Sequence, residues 1–379
     1  MSRVALVRCE TYEINQVRQA VEKGIMLVGG WDKICIAGDR ILLKPNLLAP
    51  APPEKCVTTH PAVFRAMAEG LQTQGALLSF GDSPAFGSPQ SVAKKSGILE
   101  VAQEMSIELA DFTEGERIHF PEGYQNKSFV IAKGVLHADA IISLSKLKTH
   151  GLTTMTGAIK NQFGCIPGVL KGEYHVKLPD LSQFATMLVD LNRLLQPRLY
   201  VMDGIIGMEG NGPRGGKPRP MNVLLFSADP VALDTIVCLM LGINPAQIEP
   251  ILMGKKLGLG ESDLNHIEIV GAELSSFVQR DFKASRPNPL MRIRSNGLRN
   301  MLVAKPVIIR EKCISCGVCC QMCPVKPKAL QFRSNTVGMP PSYDYNQCIR
   351  CYCCQELCPE GAIQLEKPFI GRLLERLPR

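Results

Sequence analysis

The sequence predicts an α/β protein: a mostly parallel sheet with helices on both faces, followed by a small α+β domain at the C-terminus. Three observations predict it. Short apolar runs of strand length alternate with amphipathic helical segments over the first 280 residues. The turns after those runs collect Lys, Asn, His and carboxylates. Ten of the fifteen cysteines lie between Cys313 and Cys358. At 379 residues, with 45% hydrophobic and 21% charged, the chain holds more than one core and is not a disordered polymer.

Residues 4–7 read as a strand, and residues 14–28 as a helix with Val17, Val21, Ile25 and Val28 on one face. Residues 41–43 form a short buried strand, followed by a helix over 61–71. Further strands fall at 76–80, 140–144, 199–202 and 223–226. Residues 156–164 read as a helix, with Gly164 as its C-cap. The expected division is an α/β domain over 1–278, a basic linker over 279–306, a cysteine-rich domain over 307–366 and a basic tail over 367–379.

The chemistry lies in the turns at the strand ends. Lys44-Pro45-Asn46 comes after the second strand and Gly81-Asp82-Ser83-Pro84 after the third. Ser145-Lys146-Leu147-Lys148-Thr149-His150 succeeds the run ending at Leu144. Asp203-Gly204, then Glu209 in a glycine-rich stretch with Arg214 and Lys217, comes after Met202. Asp229-Pro230 and Asp234 come after Phe226. Ligands of open α/β sheets bind outside the strand carboxyl ends, so five such ends converge on one edge. The catalytic candidates are Lys148, His150, Lys160 and His175. Lys44, Asn46, Lys146, Asn161 and Arg214 are candidates for holding an anionic substrate. Asp82, Asp203, Glu209 and Asp229 could bind Mg²⁺ or Mn²⁺, since hard carboxylates suit those ions. Two of these carboxylates also have a structural reading: Asp229 before Pro230 is a helix N-cap, and Asp82-Ser83-Pro84 a turn.

The cysteine-rich stretch holds two matching runs, Cys313-x-x-Cys316-x-x-Cys319-x-x-x-Cys323-Pro324 and Cys348-x-x-Cys351-x-x-Cys354-x-x-x-Cys358-Pro359. Both match the bacterial ferredoxin run, in which the fourth Cys serves the other cluster. Cys313, Cys316, Cys319 and Cys358 are thus expected to hold one 4Fe-4S cluster, and Cys348, Cys351, Cys354 and Cys323 a second. The two runs form an internal repeat, each half supplying a hairpin and a turn of helix. Zinc sites pair C-x₂₋₄-C with a distant second pair and fit this spacing poorly. Cys320 and Cys353 lie inside the runs and read as small, partly buried residues.

Taken together, Lys44-Pro45-Asn46-Leu47, Gly81-Asp82-Ser83-Pro84, Lys146-x-Lys148-Thr149-His150, Thr156-Gly157-x-x-Lys160-Asn161-x-x-Gly164, Asp203-Gly204 with Glu209-Gly210, and Asp229-Pro230-x-Ala232-x-Asp234 resemble the domain of unknown function 362 family. The resemblance covers nearly the whole chain. It implies a cytoplasmic prokaryotic iron–sulfur protein with a C-terminal two-cluster ferredoxin-like domain, and it supplies no agreed reaction.

The expected function is electron transfer between the clusters and an anionic compound at the strand ends, an oxidoreductase. The alternative is an electron carrier whose α/β part is a docking or regulatory module. The net charge of +8 favours anionic ligands or an acidic redox partner, with residues 279–306 as a docking face. One Trp, seven Tyr and no basic stripe interleaved with aromatics argue against nucleic acid. No run resembles a secretory signal or a membrane span: Asp229, Pro230 and Asp234 interrupt the most apolar stretch, 221–243. The expected location is the cytoplasm.

Overall fold

The structure, a computed structural model, describes residues 1–168, 170–284, 295–333 and 338–370. Arg286, Arg292 and Arg294 of the basic linker, and the tail from residue 371, lie outside them.

The strands of the first part are β1 (Ser2–Arg8), β2 (Arg40–Pro45), β3 (Leu77–Phe80), β4 (Glu108–Leu109), β5 (Gly115–His119), β6 (Ser128–Ala132), β7 (Ala140–His150), β8 (Thr154–Met155), β9 (Leu199–Glu209), β10 (Lys217–Ser227) and β11 (Ile267–Gly271). Its helices are α1 (Ile14–Leu27), α2 (Pro61–Thr73), α3 (Pro89–Lys95), α4 (Ile98–Glu104), α5 (Lys133–Leu136), α6 (Gly157–Asn161), α7 (Leu170–Lys177), α8 (Leu181–Leu195), α9 (Pro230–Met240) and α10 (Glu249–Lys256).

Strands pair in the order β11-β1-β10-β9-β7-β2-β3-β4, with β8 hooked onto β7. Along that order pairing is parallel except where β10 lies antiparallel to both β1 and β9. The sheet is therefore mixed and mostly parallel, an α/β fold. Period-two alternation sends successive side chains to opposite faces. Leu42, Ile141, Tyr200, Val223 and Leu225 enter a core shared with α6, α8 and α9. Leu43, Ile142, Val201, Leu224 and Phe226 enter a second core against α1, α2 and α4. Burying each such side chain contributes about 1.5–3 kcal/mol. α1 crosses β10 closely because Gly24 has no side chain there: a Cβ would lie 2.2 Å from the Phe226 ring.

The helix starts are capped from the sequence. Glu13 accepts from the amides of Asn15 and Gln16, and Asp229 from those of Val231 and Ala232, ahead of Pro230. Two strands outrun their apolar runs. β7 continues through Lys146 and Lys148 to His150, buried throughout, and β9 continues to Glu209. Gly164 is no simple C-cap: a Cβ there would lie 1.8 Å from Asp82 Oδ1, so its small size admits the chain against that carboxylate.

The C-terminal part contains α11 (Asn296–Leu302), β12 (Lys305–Ile308), α12 (Val318–Gln321), β13 (Leu330–Gln331), β14 (Ser342–Tyr343), α13 (Cys353–Leu357) and β15 (Ile363–Glu366). β12 pairs with β15 and β13 with β14, all antiparallel. Each half thus reads strand–helix–strand, but its strands pair with the other half instead of forming hairpins within a half. Leu330, Cys354, Cys358, Ala362 and Ile363 form the small core.

This part docks on the α/β part through the β9–β10 loop. Gln355 Nε2 donates to Asn211 Oδ1 at 2.8 Å and to the Gly212 carbonyl at 2.9 Å. Asn211 Nδ2 donates to the Ile363 carbonyl at 2.9 Å. Gly215 and Gly361 meet backbone to backbone, a Cβ on Gly215 falling 2.9 Å from Gly361 Cα. No helix among the described residues is long and apolar enough to cross a membrane.

Candidate active site

The site begins with a lattice of uncharged polar groups at the end of β2. Asn46 Nδ2 donates to Asn161 Oδ1 at 3.0 Å, and Asn161 Nδ2 donates to Ser143 Oγ at 2.9 Å. Asn46 Oδ1 is thereby aimed to accept from Lys148 Nζ at 2.6 Å; the Val57 carbonyl accepts from the same ammonium at 2.6 Å. Asn161, which helix geometry alone leaves without a purpose, orients the residue that holds Lys148.

Beside it, Lys44 Nζ donates to Asp82 Oδ1 at 2.8 Å, and the Leu47 amide to Asp82 Oδ2 at 2.7 Å. Lys171 Nζ donates to Ser83 Oγ at 2.5 Å and to the Ile166 carbonyl at 2.9 Å. Asn46, Asp82, Ser83, Lys148, Asn161 and Lys171 border a cleft of about 750 Å³. One side carries Lys148, Lys160, Lys171 and His175 from the α/β part. The other carries Cys323, Cys353 and Glu356 from the C-terminal part.

Burial sets the electrostatics. It pushes Lys148 down to about 7, with Lys160 adding and Glu356 and Asp82 opposing. It pushes Lys171 down to about 8. It holds His150 and His175 at about 4, neutral at physiological pH. Burial alone would raise the Glu356 carboxyl, but Lys160, His150 and His175 together hold it well below the usual carboxylate range. His150 Nδ1 accepts from the amides of Leu152 and Thr153, so the neutral ring carries its proton on Nε2, 3.4 Å from Glu356 Oε2. His175 stacks on Phe184 with ring centroids 4.7 Å apart.

The structure brings Asn46, Asp82, Lys148, Lys160, Asn161 and His175 to the cleft and takes other expected residues elsewhere. Lys146 Nζ donates to Asp203 Oδ2 at 2.8 Å and to the Tyr12 hydroxyl at 2.7 Å, a buried network away from the cleft. Lys44 is likewise consumed by Asp82, its side chain wholly buried. His150 contacts Glu356 and is outside the cleft lining. Arg214 stands outside the cleft lining: its guanidinium donates to the Leu357 carbonyl at 2.8 Å and to that of Pro50 at 3.3 Å, joining the two parts. The glycine-rich loop around it contacts the C-terminal part.

The four-carboxylate metal site does not form. Asp82 serves Lys44, and Asp203 serves Lys146 and Tyr12. Asp229 caps α9, and Glu209 Oε2 accepts from the Lys283 amide. They occupy separate places with separate partners. Among the described residues no three His, Cys, Asp or Glu side chains are arranged as a ready metal-ion site.

Cys313, Cys316, Cys319 and Cys358 line one small cavity of about 20 Å³, together with Gly317 and Ala362. Thiols are the donor type that iron–sulfur ligation uses, and these four share one lining. Cys348, Cys351 and Cys354 lead into and begin α13, where the Tyr343 hydroxyl contacts Cys354 Sγ at 3.3 Å. Cys323 stands at the cleft wall.

Sequence reasoning missed three cleft residues. Lys171 lies four before His175, the helical spacing that puts both on one face of α7. Thr156, whose buried hydroxyl has no hydrogen-bond partner, is one of the lining residues. Glu356, inside the second cysteine run, gave no sign of facing the other part.

Compared with known proteins, residues 41–239 match the family described as domain of unknown function, DUF362. A thylakoid-associated protein of Synechocystis sp. is 36% identical over 257 residues, covering 68% of this chain and 79% of that protein. Among solved structures, the lactate racemase apoprotein of Thermoanaerobacterium thermosaccharolyticum superposes with a TM-score of 0.40 at 10% identity, over 61% of this chain and 54% of that one. A Thermotoga maritima protein gives 0.36 at 11% identity, over 59% and 57%. The chain thus spans little more than half the length of either structure. The family match extends over more than half of the chain and takes in the turns that build the cleft floor: the chain belongs to the DUF362 family.

Proposed function

We propose that residues 307–366 carry two 4Fe-4S clusters and that the chain is an oxidoreductase, exchanging electrons with an anionic compound held in the cleft. Cys313, Cys316, Cys319 and Cys358 would hold one cluster, and Cys348, Cys351, Cys354 and Cys323 the other. When bound, such clusters supply one-electron transfer. The observation that carries the reading is the shared cleft: Cys323 and Cys353 stand on one wall, with Lys148, Lys160 and Lys171 on the other. An electron carrier with a docking scaffold has no need of buried lysines opposite its cysteines.

The chain's own residues divide the work. Lys148 and Lys171 attract and orient the anion. Lys148, buried with a pKa of about 7, can hold or release a proton at neutral pH, as a general acid or base must. Asn46 and Asn161 fix its position. His150, ring-locked and neutral, orients Glu356 and does not shuttle protons. His175 closes the cleft beside Phe163 and Phe184. The exposed Cys316 lies near Arg310 and Lys312 in sequence, both exposed, a basic approach for an acidic redox partner. Cysteines kept as thiols suit the reducing cytoplasm, a location that cell fractionation tests.

The experiment is anaerobic. The purified full chain should contain about eight irons with matching sulfide and give a cluster signal by electron paramagnetic resonance after dithionite reduction. Adding anionic acceptors should reoxidise it. Iron-free protein after anaerobic reconstitution overturns the reading. Loaded clusters that no small anion reoxidises, but a redox protein does, leave the electron carrier in its place.

A further inference from the structure

The occupant of the cleft can be narrowed from its two ends, taking the anion-binding reading above as the starting point. Two buried lysines of the cleft lining lack a paired carboxylate. Lys44 is neutralised by Asp82 at 2.8 Å, and Lys160 faces Glu356 at 4.0 Å. Lys148 and Lys171, both more than nine-tenths buried, are held only by neutral acceptors: Asn46 and a carbonyl for one, Ser83 and a carbonyl for the other. Among the described residues neither makes an ion pair. The Thr156 hydroxyl, buried and without a hydrogen-bond partner, lies in the same lining. Two ammonium groups and a free hydroxyl match a dianion with several acceptor oxygens.

The rest of the cleft is large and mostly apolar, although Glu173, Lys177, Gln321, Lys326 and Lys328 also line it. Leu48, Phe163 and Val176 line it from one side, Met322, Pro324 and Leu357 from the other. About 750 Å³ matches pockets that enclose a drug-sized molecule and far exceeds what phosphate or a two-carbon acid would fill. A small dianion would leave those walls unused and wet. Phe163 adds an aromatic ring to the lining, a surface suited to a flat ligand.

We infer that the cleft binds a phosphate monoester of a flat, largely apolar ring system, its phosphate on Lys148, Lys171 and Thr156 and its ring between Val176 and Met322. Flavin mononucleotide is the probe for this class, and riboflavin is the same ring without the phosphate. The lowered pKa values of Lys148 and Lys171 accord with this, since a bound dianion would draw protons back onto both amines against Lys160 and Lys44 and alongside Asp82 and Glu356.

The test is an anaerobic fluorescence titration of the full chain with each flavin. Flavin mononucleotide should bind at least tenfold more tightly than riboflavin. Lys171→Met should weaken it about tenfold and leave riboflavin unchanged, with iron content and circular dichroism as controls on folding. Val176→Asp, at a partly exposed wall position that tolerates charge, should weaken both. Equal binding of the two flavins overturns the inference. So does a site that ignores both flavins yet is protected from proteolysis by inorganic phosphate, in which case the anion-binding reading survives alone. Failure of every anion to bind or protect removes both.

Discussion

Glu356 Oε2 stands 3.4 Å from His150 Nε2, across the boundary between the C-terminal part and the α/β sheet. Glu356 sits on α13, two residues from both Cys354 and Cys358; His150 ends β7, two residues beyond Lys148. One buried contact therefore joins the cysteine-bearing helix to the strand that carries the lysine of the cleft. Its energetics rest on Lys160, the cation that keeps Glu356 ionised.

Glu356→Gln should loosen the two parts. Removing the carboxylate leaves Lys160 in a buried setting without its countercharge, a loss of roughly 3 kcal/mol for a buried pair broken from one side. Urea unfolding followed by circular dichroism should show the lowered midpoint. Lys148, deprived of a favourable charge, should titrate lower still. An unchanged midpoint would mean that Glu356 is solvated and the contact is incidental.

Acid should destabilise the fold before carboxylates titrate. His60, His150 and His175 are each held by burial at about 4, against about 6.5 when unfolded. Between those values the unfolded chain binds more protons, so stability falls as pH drops from 6.5 to 4, by up to about 3 kcal/mol for each histidine. Asp234, pushed up to about 7 by burial, runs the other way over the same range and offsets about one histidine. Asp234→Asn should therefore steepen the loss on acidification. Stability that rises between pH 7 and 5 would show His150 charged against Glu356, contrary to the tautomer its hydrogen bonds impose.

Gly157→Ala should cost about 1–3 kcal/mol in thermal or urea unfolding. Gly157 has φ +66°, and a Cβ there would lie 2.5 Å from Asp234 Oδ2, which with Oδ1 accepts from the first amides of α6. That helix carries Lys160 and Asn161, so the same change should reduce anion binding. A neutral effect would mean that α6 can shift without disturbing the floor.

Cys316→Ala should lower iron content by about half if the two sites load independently. Cys323→Ala should do the same from the other run, and should also perturb ligand binding, because Cys323 borders the cleft and Cys316 does not. Full iron in either variant would contradict the division of ligands.

The legible part of this molecule is the part set by local pattern. Leu42 and Leu43 announce a strand buried on both faces, Val17, Val21 and Ile25 announce α1, and cysteine spacing announces which four thiols share a cavity. Pattern alone puts Lys146 and Lys148 beyond a strand end, because charged residues there normally seek water. They lie inside β7 because Asp203 and Asn46, remote in sequence, satisfy their ammonium groups. The same remoteness hides β10's antiparallel course, the docking role of Arg214 and the pairing of Glu356 with His150. It also makes four carboxylates at strand ends resemble one metal site, when each already has its own partner in the fold.

The most direct measurement is stopped-flow reoxidation of the dithionite-reduced full chain by flavin mononucleotide and by other anionic acceptors, wild type against Lys148→Ala. At least one anionic acceptor should reoxidise the wild type fast. Lys148→Ala should lose at least tenfold of that rate at unchanged iron content and unchanged reoxidation by a protein electron acceptor. Identical rates in the two proteins would contradict this, because the cleft would then play no part in where the electrons go.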